Sequence, residues 1–172
     1  MKIVASALLI AVASVAAAQG HANTVPEQMK GLSFLVGTWS GKQNFNNPGT
    51  PLVGDITVKV HEFAGGRFLE ELSSTTMPGG KPGEVHHLLS FDPGTNTFHA
   101  WWFNDTSNKP TELEGKLVGN QLVLESHPAN PGAPVLRATY DKVSDSALNY
   151  KLEMKSGDGW QELFHNNYKK GP

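Results

Sequence analysis

Gly37-Thr38-Trp39, preceded by the apolar Leu32, Phe34, Leu35 and Val36, leads a chain that then reads as ten strands in a row. Apolar or β-branched runs alternate with turn residues about every ten positions. They predict strands at 37–45, 54–62, 67–75, 84–91, 97–104, 111–117, 121–126, 134–142, 147–155 and 160–169. Asn47-Pro48-Gly49, Gly65-Gly66, Pro78-Gly79-Gly80, Asp92-Pro93-Gly94, Gly119-Asn120 and Gly157-Asp158-Gly159 punctuate them. Ile56, Val58 and Val60 alternate with Thr57, Lys59 and His61. Leu148, Tyr150, Leu152 and Met154 alternate likewise with Asn149, Lys151, Glu153 and Lys155. A period of two belongs to half-buried antiparallel strands. The fold expected is all-β, an up-and-down antiparallel barrel of about ten strands, with a β-sandwich as the competing architecture. Ahead of it, Pro26 to Leu35 is expected to form a short helix, with Thr24 near its cap and Met29, Leu32 and Phe34 turned inward.

The segment Val85 to Asn104 is the most aromatic part of the chain. Pairing Asp92 with Thr97 sets Phe91 opposite Phe98, Leu89 opposite Ala100 and His87 opposite Trp102 on one face. Ser90 then opposes His99, Leu88 opposes Trp101 and His86 opposes Phe103 on the other. One face should line the interior, and the other should be covered by the helix or a loop. Val58, His87, Phe91, Phe98, Ala100, Trp102 and Tyr150 are the expected lining of a ligand pocket, and Trp39 the plug of the narrow end. His86 and His87 point to opposite faces, as do His87 and His99, so no metal site is expected from the histidines.

Composition narrows the function further. Met1-Lys2, the apolar run Ile3 to Val15 and the small residues Ala16-Ala17-Ala18 predict a signal peptide over 1–18, cut after Ala18, with a flexible leader over 19–24 and one barrel domain over 25–170. The expected location is therefore the periplasm or the outside of the cell. No cysteine is present, which excludes disulfides, thiol chemistry and a lipid anchor at the cut. The formal charge of −2 and scattered basic residues argue against nucleic acid and against an anionic membrane surface as partners. The sequence shows no nucleophile elbow, phosphate loop or dinucleotide fingerprint, so no catalytic residue is assigned. Glu70-Glu71 and the pair Glu112 and Glu114 are expected to face solvent.

Three segments carry a family likeness: Leu35-Val36-Gly37-Thr38-Trp39-Ser40-Gly41, Gly65-Gly66-Arg67-Phe68-Leu69-Glu70-Glu71, and Ser90-Phe91-Asp92-Pro93 followed by Phe98 and Trp102. In this order they resemble an uncharacterised bacterial lipocalin-like domain family, over about residues 30 to 170. Ser90 stands where that family usually has glycine. More distantly, the start is similar to that of nitrobindins, ten-stranded calycin barrels in which a histidine near the chain end binds ferric haem. That second resemblance implies His165 as an axial ligand and haem as an alternative cofactor; otherwise no cofactor is expected. The leading expectation is a barrel for a small apolar or amphipathic molecule, with a haem protein and a protein-interaction module as the competing readings.

Overall fold

The computed structural model describes residues 24–50, 52–105, 107–127 and 132–172. The expected signal peptide, its cut and residues 19–23 of the expected leader lie outside the described residues. The chain forms a closed barrel of ten antiparallel strands: β1 (Gly37–Phe45), β2 (Leu52–Phe63), β3 (Phe68–Thr76), β4 (Pro82–Asp92), β5 (Thr97–Asn104), β6 (Thr111–Val118), β7 (Gln121–Ser126), β8 (Leu136–Ser144), β9 (Ala147–Ser156) and β10 (Gly159–Lys170). Each strand pairs with the next in sequence, and β1 pairs with β10 to close the sheet, from Trp39 opposite Lys170 to Phe45 opposite Phe164. Closure removes the sheet edges, and with them the sandwich alternative.

The two ends differ. Four tight turns (64–67, 93–96, 119–120 and 145–146) share one end with the N-terminal segment, and the longer connections from β1 to β2, β3 to β4, β5 to β6 and β7 to β8 share the other with the tight turn at 157–158. At the first end the chain makes a single helical turn, α1 (Glu27–Lys30), then a 3-10 turn over Ser33–Leu35. This is less than the continuous helix expected: Pro26 provides no side-chain cap, and Gly31 ends α1. Leu32 and Leu35 are fully buried there with Trp39, whose indole Nε1 donates to the Leu35 carbonyl at 2.7 Å. Phe34 is only partly buried.

The interior face of each strand follows the period of two. Ile56, Val58 and Val60 of β2 are buried, as are Leu148, Tyr150 and Leu152 of β9. The β4–β5 hairpin has the expected register, Asp92 opposite Thr97 through His87 opposite Trp102. Its tight turn is held by the Asp92 carboxylate, which accepts from Gly94 N at 2.8 Å and Thr95 Oγ1 at 3.2 Å. Phe91, Leu89, His87, Phe98, Ala100 and Trp102 all point inward. The opposite face is not buried beneath a helix or loop as expected. Leu88 and Trp101 are half-buried, Phe103 is 42 % exposed, and Trp101 rests against the rings of Phe68 and His99 on the barrel wall.

Candidate functional site

The lower half of the barrel, nearest the helical turns, is filled by Leu89, Leu113, Leu122, Leu124 and Ala138, each at or below 1 % exposure. The upper half is not filled. A cavity of about 230 Å³ lies there, between strands contributed from all round the barrel. Ile56, Val85, Trp102, Leu152 and Phe164 give it apolar walls, while Gln43, Glu71, His87 and Asn166 give it polar ones.

Glu71 is the feature that sequence reasoning placed wrongly. Neighbouring strand residues face apart, as expected, but only Glu70 reaches the surface, where it pairs with His61 Nε2 and His86 Nε2, each at 2.7 Å. Glu71 is inside the barrel at 5 % exposure. The β3–β4 register sets it directly opposite His87, which is 6 % exposed. One carboxylate oxygen lies 3.0 Å from His87 Nδ1, and the other accepts from Tyr140 OH at 3.0 Å. A carboxylate oxygen accepts, so the His87 nitrogen that faces it, Nδ1, is the donor of this pair. The imidazole stacks on the Trp102 ring with centroids 4.9 Å apart.

Three tyrosines surround this group. Tyr140 meets Tyr150 edge-on at 4.8 Å, and Tyr168 OH accepts from Asn166 Nδ2 at 2.7 Å. Burial pushes the phenols of Tyr140 and Tyr150 well above their usual pKa of 10.0, and the charge on Glu71 pushes both further in the same direction. The Tyr168 phenol is raised by the same two causes in the same order. All three therefore act as neutral hydrogen-bonding groups at ordinary pH.

Of the residues expected to line a pocket, His87, Trp102 and Tyr150 border the cavity. Val58 lies one inward position below Ile56 and, with Ala100, belongs to the buried core. Phe91 and Phe98 meet at 4.9 Å near the helical turns and line a shallow depression there with Gln28 and Gly31. Trp39 is buried at that same end and carries the Lys170 ammonium 5.2 Å from its ring centroid.

His165 does not face the interior. A β-bulge between Glu162 and Phe164 re-aims β10, so that Phe164, Asn166 and Tyr168 turn inward and His165 turns out. Its side chain is 43 % exposed, and Nδ1 lies 2.7 Å from Glu162 Oε1. The cavity is also smaller than the roughly 300–1,000 Å³ typical of drug-sized sites. Haem held through His165 inside the barrel does not fit these residues. Among the described residues no three His, Asp or Glu side chains are grouped to hold a metal ion.

A family model described as "Protein of unknown function (DUF1579)" matches residues 26–170, and the chain belongs to that family. No curated protein shows a significant match. Among solved structures, Rv2717c from M. tuberculosis is similar at 20 % identity and a TM-score of 0.65, over 87 % of this chain and 100 % of that one. The S-type phycobiliprotein lyase CPES from Guillardia theta is similar at 8 % identity and a TM-score of 0.54, over 83 % and 92 %. These likenesses concern the fold.

Proposed function

We propose that this member of the DUF1579 family is a small-molecule-binding barrel, exported to the periplasm or secreted, that takes an apolar or amphipathic ligand into its upper half. The observation that carries this reading is the cavity itself, which combines aromatic walls with a few convergent polar groups in an otherwise filled barrel. Protein interiors are close-packed, and space left unfilled among these side chains forgoes packing contacts that a ligand would supply. Four strands supply the polar side chains Gln43, Glu71, His87 and Asn166, so the cost is spread over the sheet rather than confined to one irregular corner. The phycobiliprotein lyase of the same fold supports the reading only as an instance of a barrel with a biochemical task.

The test is a native mass spectrum of the protein purified without denaturation from the cells that make it, beside a Val85→Trp variant that fills the cavity. The wild type should carry an extra mass that is released on activation, and the variant should carry none. A bare polypeptide mass in both, at any stage of gentle purification, would contradict the proposal. The same spectrum reads whether the chain begins after Ala18.

A further inference from the structure

Two residues that line the cavity each carry a buried polar atom with no hydrogen-bond partner in the protein: Trp102 Nε1 and Asn166 Oδ1. Trp102 is 7 % exposed and Asn166 is 2 % exposed, so bulk water does not satisfy them at the surface. Each orphan has a fixed sense. An indole N–H can only donate. Asn166 donates one amide N–H to Tyr168 OH at 2.7 Å, and its carbonyl oxygen remains a free acceptor. A buried group left unpaired costs about 1–3 kcal/mol, and two from opposite sides of the barrel, one on β5 and one on β10, are a requirement placed on whatever fills the space.

Resting on the ligand-binding reading above, we infer that the cavity selects an uncharged molecule that carries both a hydrogen-bond acceptor, for Trp102, and a hydrogen-bond donor, for Asn166, on an otherwise apolar body. Charge is excluded from both sides. No Lys or Arg lines the cavity, and the Glu71 carboxylate does, so an anion enters against a like charge. A cation would have to share Glu71 with His87 on one oxygen and Tyr140 on the other. It would also leave the Trp102 donor unpaired, because a cationic head offers no acceptor. A purely apolar ligand leaves both orphans as they are. Carboxamides, lactams and hydroxy-carbonyl compounds of modest size meet the requirement.

Four probes that share one ring separate these cases: benzamide, benzoate, benzylammonium and toluene, each titrated at pH 7 into uniformly 15N-labelled protein. The indole N–H of Trp102 and the side-chain amide of Asn166 report occupancy directly. Benzamide should move both resonances and bind at least about tenfold more tightly than the other three, the worth of one to two net hydrogen bonds. Trp102→Phe should weaken benzamide roughly three- to tenfold and leave toluene unchanged, and Asn166→Leu serves as the second variant. Benzoate, benzylammonium or toluene binding as tightly as benzamide overturns the selection while leaving a binding cavity in place. Benzamide binding that survives both substitutions undiminished also overturns it. If no probe moves either resonance, this inference falls, and the native mass spectrum above decides the ligand-binding reading separately.

Discussion

Glu71 joins a buried histidine to a buried tyrosine, and its neighbours decide what removing it does. In Glu71→Leu, the His87 Nδ1–H and the Tyr140 hydroxyl both lose their acceptor. They lie 3.3 Å from one another, which allows a poor mutual bond in its place. The expected loss is about 2 kcal/mol or more, read as a lower denaturant midpoint at constant slope. The double variant with His87→Leu should cost less than the two single losses combined, because it removes an orphan along with its acceptor. Strict additivity would contradict the contact. The alternation of Glu70 and Glu71 was legible in the sequence, as was the pairing of His87 with Trp102. The inward turn of the carboxylate was not. A glutamate is read as exposed by default, and its compensating partner lies one strand away in a register that only the folded sheet reveals.

At the scale of elements, closure of the barrel depends on how near β1 and β10 approach. A Cβ added at Gly41 would stand 2.1 Å from the Asn167 carbonyl oxygen on the facing strand. Gly41→Ala therefore forces two backbones apart rather than one side chain aside, at a cost of about 1–3 kcal/mol. Amide exchange should accelerate first along Gly37–Phe45 and Gly159–Lys170. Uniform acceleration across all ten strands would show that the seam is no weaker than the rest of the sheet. Strand positions were the most readable property of the chain, because alternation and turn residues repeat ten times. The bulge at Glu162/Phe164 was not readable, since it inserts one residue without any glycine or proline to mark it. That single residue is why His165 faces out and Asn166 faces the cavity. Depth along a strand was equally hidden: Val58, Phe91, Phe98 and Ala100 are on the inward face, but periodicity does not say which inward position borders a void and which fills one.

For the molecule as a whole, a polar cluster is buried inside the upper barrel, and the three tyrosines of the chain are its reporters. Tyr140, Tyr150 and Tyr168 are the complete set, and all three phenols are raised by burial first and by the Glu71 charge second. A pKa raised in the folded state contributes stability that is fully present below the unfolded value of about 10 and lost as pH rises beyond it. Above about pH 11 the unfolded chain has given up three phenolic protons that the barrel retains, so stability falls by about 4 kcal/mol per pH unit from these groups alone. The most direct test is an alkaline titration that follows phenolate absorbance at 295 nm and the circular dichroism of the sheet together. The expected result is no tyrosine signal near pH 10, followed by three phenols ionising in one step that coincides with loss of the barrel. Reversible ionisation of any tyrosine near pH 10 with the sheet intact would contradict it.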